Sequence, residues 1–290
     1  MATIKEYNIK IRSLKNTQKI TKTMKMVAAS KLRRAQEAQV NAKLYAQNIT
    51  ALASRISAAV QPEMHPLLTK RPVVKRALTL IITSDKGLCG AFNNNANKRV
   101  EIWLKENRAY EQIDISCCGK RGHMYFHKRG NIKKFYENVT SAPSFANAMK
   151  IGEDLSRDFI SGQYDEVNLT YNQFFSPISQ KTVFEKILPI DPNALISEKA
   201  EAGAAREYLF EPQVESLLGF LIPHFLYFKI YFALLENSAG EHGARMSAMD
   251  NATKNASDLI DKYTLLRNRA RQAEITTELT EIVAGAEAIK

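Results

Sequence analysis

The sequence predicts an α/β protein in which N- and C-terminal helices form a long antiparallel coiled coil around a small central α/β domain. Three observations carry this. Met1 to Gln61 contains neither glycine nor proline. Ala244 to Ala284 contains neither as well. Between them, short apolar runs alternate with helical patterns and turn residues, the signature of layered α/β architecture.

The N-terminal helix would run roughly 90 Å at about 1.5 Å per residue. No small domain covers that length, so a partner helix is required. Alternate steps of four and three from Met24 reach Ala28, Lys31, Ala35, Ala38, Ala42, Tyr45, Ile49, Leu52, Ile56 and Ala59. Only Lys31 breaks the apolar run, and the spacing is that of a heptad seam. Its alanines predict close helix approach. Pro62 and Pro66 end the helix.

The C-terminal helix repeats the pattern at Ala252, Ala256, Leu259, Tyr263, Leu266, Ala270 and Ala273. Its start is expected near Pro212, a residue suited to a first turn. Pro223 is expected to kink or break it. The apolar stretch Leu217–Leu235 is interrupted by Pro223, His224 and Lys229. It falls short of the ~20 apolar residues that span a bilayer and reads as a buried or partner-covered helix.

In the middle, Ala77–Thr83, Ile113–Cys118, Val167–Phe175 and Thr182–Leu188 read as strands. Asn94–Asn107 and Ser144–Ser161 read as helices, and Ser176-Pro177 as the turn of a strand pair. The alternation predicts a small Rossmann-like layer domain. Expected boundaries are 1–61 for the N-terminal helix, 73–205 for the α/β domain, and 206–290 for a foot segment with the C-terminal helix.

Composition is that of an ordinary globular chain, with 45% hydrophobic and 24% charged residues. The net charge of +11 is concentrated before Arg34, where Glu6 is the only acid. A basic, acid-poor start also resembles a transit peptide. The helical pattern runs through Arg34 without a break, so no cleavage point is evident. The three cysteines, Cys89, Cys117 and Cys118, form no CxxC and suit a reducing compartment.

No catalytic constellation stands out. Gly87-Leu-Cys-Gly90 follows a strand and precedes a helix, yet it is neither a GxxxxGK[ST] nor a GxGxxG loop. A tight strand-to-helix turn is the expected reading. Cys89 has no local histidine to act as base. His123 and His127 lack the glutamate of an HExxH zinc motif, and no metal or cofactor is expected. The basic helix ahead of a heptad seam also matches the plan of a basic zipper on nucleic acid. Two features oppose it: the seam is alanine-rich, and the chain supplies its own second helix. An acidic protein surface would suit the same charge.

Ile275-Thr-Thr-Glu-Leu-Thr-Glu-Ile-Val-Ala-Gly-Ala-Glu-Ala288 resembles the terminal signature of ATP synthase gamma subunits. So do Lys15–Lys31, Ser84-Asp-Lys-Gly-Leu-Cys-Gly-Ala-Phe-Asn93, Tyr208–Pro212 and Glu241–Met249, in the family's order along the whole chain. The resemblance implies a non-catalytic rotor shaft of the proton-translocating enzyme. Three alpha and three beta subunits would surround it, with an epsilon subunit and a membrane c-ring at its foot. It implies no cofactor and no nucleic acid.

The resemblance also assigns residues. Met24 and Lys25 match contacts to the beta subunit. Arg271, Gln272, Thr276 and Glu278 match polar contacts to a beta loop, and Arg245 a residue tied to coupling. Tyr208 and Glu211 match the foot that meets c-ring and epsilon. Each of these also fits a solvated helix face or an intrachain pair. Chloroplast relatives carry an inserted cysteine pair that is missing here, so thiol regulation is not expected. A helix headed by Met1 favours a chain on the cytoplasmic side of a bacterial inner membrane, with a mature organellar chain as the alternative.

Overall fold

In this computed structural model, residues 3–57, 65–191 and 214–288 are described, with side chains at 3–43, 65–191 and 217–287. The elements are α1 (Ile4–Ser57), β1 (Arg76–Ile82), α2 (Phe92–Glu106), β2 (Gln112–Cys118), α3 (Lys120–Phe126), β3 (Asn131–Tyr136), α4 (Phe145–Ile160), β4 (Glu166–Ser176), β5 (Ser179–Leu188) and α5 (Val214–Ala288). They form two compact units, Met1–Ala28 with Arg245–Lys290, and Ala29–Ala244.

The second unit contains a five-stranded sheet in the order β3-β2-β1-β4-β5. β1 pairs in parallel with β2 and β4, β2 with β3, and β5 returns antiparallel to β4. The first four strands have the order in which a doubly wound sheet begins. β1 lies at the centre and is apolar on both faces, as a strand covered on both sides must be. Leu78, Leu80 and Ile82 face a large core with Ile151, Leu155 and Phe159 of α4. Ile81 faces a smaller core with Ala96 and Val100 of α2.

The apolar start of α5 joins the larger core through Leu218, Leu221, Ile222, Leu226, Ile230 and Leu234. By length and composition this helix would pass for a membrane span. Much of its apolar surface lies instead on the domain's own sheet. Pro223 sits inside α5 and does not end it. Proline removes one backbone bond, and the buried neighbours Leu221, Ile222 and Leu226 hold the helix across the gap. Pro212, the expected start, lies outside the described residues.

The predicted strands match β1, β2, β4 and β5 to within a few residues. α4 starts where expected because the Ser144 hydroxyl accepts the Asn147 N–H at 3.2 Å, an N-cap. Two elements were not expected, α3 and β3. α3 has seven residues, too few for a helical period to show, and contains Gly122. β3 is an edge strand whose Lys133 and Lys134 interrupt the alternation.

In the first unit, the seam continues toward the N-terminus beyond Met24, through Ile11 and Thr21. Tyr7 meets Tyr263 at 6.3 Å between ring centroids, Thr253 donates to Thr21 at 2.8 Å, and Lys25 pairs with Asp250 at 2.6 Å. The numbers rise along one helix as they fall along the other, so the pairing is antiparallel.

The expected register needs three corrections. Lys31 is exposed, and Leu32 takes the inward place at 5% exposure. Leu259 is exposed and Ile260 half-buried in its stead, while Ala273 is fully on the surface. An undistorted helix drifts against a strict heptad, so the buried stripe moves to the neighbouring residue. Tyr45, Ile49, Leu52, Ile56 and Ala59 lie outside the residues whose side chains are described. The corrected register makes a sharp prediction. Leu32→Ala should cost about 2–3 kcal/mol, a large-to-small change at a buried site. Lys31→Ala should change stability by less than about 0.5 kcal/mol. Denaturant unfolding of the two variants checks this, and equal losses would restore the original register.

Candidate partner-binding faces

The tip of α5 carries four of the nine residues singled out from sequence. Arg271, Gln272, Thr276 and Glu278 are all exposed. The Thr276 hydroxyl donates back to the Gln272 backbone carbonyl at 2.9 Å, and Gln272 itself is exposed. Ile275, Leu279, Ile282 and Val283 are exposed to between 48% and 67%. At helical spacing these four fall on one stripe, with Arg271 and Glu278 along one border and Gln272 and Thr276 along the other. An apolar stripe rimmed by polar side chains has the anatomy of a contact face.

α1 carries a second stripe that sequence reasoning missed. Ile9, Ile20 and Val27 are exposed and lie eleven and seven residues apart, three turns and two turns, so they share a face. That face is turned about 100° around the helix from the buried Ala28. The signal was visible as a second apolar period, hidden by the lysines between its members.

Met24 is half-buried beside this seam. Lys25, predicted to contact a partner, pairs within the chain to Asp250, which Lys254 also approaches at 3.1 Å. The hydrogen bonds from Lys25 and Lys254 hold the Asp250 carboxyl below its usual range. Arg245 is buried at its place in α5. Tyr208 and Glu211 lie outside the described residues.

The turn after β1 is the place where a doubly wound sheet would bind a ligand, at the carboxyl ends of strands where the order reverses. Here its polar atoms are turned inward. Asn93 accepts the Ser84 N–H at 2.9 Å and donates to Cys89 Sγ at 3.2 Å. Leu88 and Gly90 adopt φ of 62° and 60° to close the turn. α5 then covers it: Asn237 donates to the Thr83 carbonyl at 3.4 Å, and a Cβ on Gly240 would come within 2.9 Å of Phe92. The chain's own helix thus lies against the inner side of the turn, while Leu88 on its outer side is exposed.

The cysteines are all buried. Burial pushes the Cys117 thiol up to about 12 and that of Cys118 higher still. Adjacent strand residues point to opposite faces, so Cys117 and Cys118 cannot pair. With roughly a thousandfold less thiolate than a free cysteine, Cys117 should resist alkylation in the native protein. Activity of the assembled complex should be indifferent to dithiol reductants. A clear rise in turnover on reduction would show that a regulatory thiol had been overlooked.

A family model described as ATP synthase matches residues 3–289. The ATP synthase gamma chain of Trichlorobacter lovleyi is 44% identical over 291 residues, covering the whole of both chains. The chain belongs to the ATP synthase gamma-chain family. The gamma chain of Bdellovibrio bacteriovorus is also 44% identical, over 296 residues and the whole of both chains. Among solved structures, the central stalk and c-ring of Tetrahymena thermophila mitochondrial ATP synthase matches with a TM-score of 0.60 and 27% identity. That match covers 80% of this gamma chain and 99% of the other. The rotor of Euglena gracilis mitochondrial ATP synthase shares the fold, with a TM-score of 0.64 at 21% identity over 94% and 98% of the two chains. The fold expected from sequence, long terminal helices with a small α/β layer, is thus that of gamma chains, which belong to a membrane-associated complex.

Proposed function

We propose that this gamma chain is a non-catalytic rotor shaft that couples turning of a membrane c-ring to the nucleotide sites of surrounding beta subunits. Three alpha and three beta subunits enclose the helical tip, and an epsilon subunit and the c-ring engage the foot. The complex, and not this chain, makes ATP from ADP and phosphate. It sits on the cytoplasmic side of a bacterial inner membrane. The three working segments are residues 1–61, 73–205 and 206–290.

The observation that carries this reading is the α5 tip, an exposed apolar stripe rimmed by Arg271, Gln272, Thr276 and Glu278. A ring of partners bearing on that stripe is shielded from water, while the polar rim makes angle-specific contacts. As the shaft turns, each beta subunit meets a different rim. The differential contacts shift its conformational equilibrium, which is the only way a non-reacting subunit can direct chemistry elsewhere. Met24, the half-buried Lys25 and the buried Arg245 add to the same coupling. Tyr208 and Glu211 serve the foot.

The turn after β1, whose Ser84, Cys89 and Asn93 bond to one another and whose inner side meets α5, supports the non-catalytic half of the reading. The purified chain should release no phosphate from ATP. Affinity purification from cells should recover alpha, beta and epsilon subunits in a stable complex. Intrinsic turnover that survives removal of contaminants, or recovery of nucleic acid without those subunits, would overturn the proposal.

A further inference from the structure

Helix α5 meets the α/β layer in two ways. From Leu218 to Leu234 the contact is mainly apolar, with a half-buried ion pair between Lys229 and Glu185 of β5 at 2.9 Å. Apolar contact is strong but non-directional, and a helix can rotate or shift on it between alternative packings. From residue 236 to 243 the contact is of another kind. Glu236 is buried at 4% exposure. One carboxylate oxygen accepts the Phe174 N–H of β4 at 2.6 Å, and the other accepts the side-chain amide of Gln39 on α1. Next to it, Asn237 donates to the Thr83 carbonyl at the end of β1.

Two glycines complete the same stretch. A Cβ on Gly240 would come within 2.9 Å of the Phe92 ring, and one on Gly243 within 3.0 Å of the Pro177 backbone and 3.1 Å of Phe174. Glycine at these sites lets the helix lie directly on the β4–β5 hairpin. Positions 236, 240 and 243 repeat at helical spacing, so these contacts share one face of α5.

A carboxylate in this place needs a reason. Burial raises the Glu236 carboxyl above its usual range and makes the charged form costly, with Lys43 the cation that offsets it. An apolar residue would pack there without that cost. What a buried carboxylate adds is direction: two donors from two different elements fit it in one geometry only. A helix slip of one residue would turn Glu236 away from both.

We propose that Glu236, Asn237, Gly240 and Gly243 form a register joint that fixes the rotational setting of the α/β layer on α5. Glu236 is the positioning residue that ties β4 and α1 to the same point. This inference rests on the rotor reading, because a fixed setting matters only if the chain carries torque. Through the joint, a twist applied to the α/β layer reaches both long helices together.

The test uses the assembled complex with alpha, beta, epsilon and c-ring subunits. A cysteine at exposed Lys128 of the α/β layer carries the rotation probe, since the native thiols are buried. Angular spread of the probe during a catalytic dwell is measured, together with protons pumped per ATP hydrolysed. Glu236→Ala should widen the dwell distribution and lower the pumping ratio at an unchanged hydrolysis rate. The open-joint population should rise about tenfold or more, the weight of a hydrogen bond to a buried charge. Glu236→Gln keeps an oxygen for the Phe174 N–H and should restore both readouts; a merely structural site would show no such rescue in angular spread. A wild-type spread in Glu236→Ala, or failure of Glu236→Gln to rescue, overturns the joint. Should Glu236→Ala not assemble, Gly243→Ala tests the same face, and an unchanged spread there overturns it as well. A wild-type complex whose probe does not rotate would instead overturn the rotor reading.

Discussion

Gly119→Ala should destabilise the α/β layer more than any other single-methyl change in it. Gly119 follows β2 with φ of 100°, a region that side chains rarely enter. A Cβ there would lie 2.4 Å from the Thr83 carbonyl oxygen and 2.8 Å from the Thr83 carbonyl carbon. Both are backbone atoms. Thr83 cannot retreat, because its N–H donates to the Cys118 carbonyl at 2.8 Å and its hydroxyl accepts the Gly122 N–H at 2.9 Å. Backbone strain and overpacking together should cost about 3–5 kcal/mol. That is a large share of a stability of about 5–15 kcal/mol and should lower Tm by roughly 6–20 °C. Gly90 is the control. Its φ of 60° is also positive, but nothing lies within 4 Å of the place a methyl group would take. Gly90→Ala should therefore cost only about 1–2 kcal/mol of backbone strain. Thermal unfolding of the two variants separates the effects, and equal shifts would mean that the contact with Thr83 is not what demands glycine.

Much of this fold is legible in the order of residues, and what was missed has physical causes. β1 is a nearly continuous apolar run because the centre of the sheet is covered on both faces, while β2, β4 and β5 mix apolar and polar residues in strand-like alternation, and both patterns show without a partner in view. α4 was bounded correctly at Ser144, where a side chain and not a distant contact starts the helix. β3 was invisible because an edge strand is under less demand to be apolar, and its lysines find acids on α4, Lys133 with Asp158 and Lys134 with Asp154. The seam at Lys31 was misread by one residue for a geometric reason: a heptad count is rigid, and a helix of 54 residues is not. Of the candidate site, the rim residues were legible only through the resemblance to gamma chains. Nothing in local chemistry marks Gln272 or Thr276. Glu236 was missed altogether, since a single acid in an apolar helix reads as noise until the donors of β4 and α1 are seen to converge on it.

A covalent link between Gln272 and a beta subunit should stop steady-state turnover at every catalytic site. Gln272 is exposed and lies two residues beyond Ala270, the last half-buried position of α5. It stands on the polar border of the apolar stripe, where a beta loop would pass. If the shaft turns inside the ring, each beta site needs a different face of α5 before it can change conformation and release product. A bond to one beta subunit freezes the shaft at one angle, and the sites that are not linked stall with it. Placement matters. A link at the extreme end would let the last turns of helix unwind while the rest rotates, because more than a dozen exposed residues separate it from the half-buried Ala270. At Gln272 the helix is anchored just below by the pairing that includes Tyr263 with Tyr7. The experiment is Gln272→Cys paired with a cysteine on the facing beta loop, assayed oxidised and after reduction. Buried native thiols keep the crosslink specific. Oxidation should abolish turnover, and a reductant should restore it in the same sample. Full activity in a fully crosslinked complex would show that this segment does not rotate against beta, and the shaft reading would fall with it.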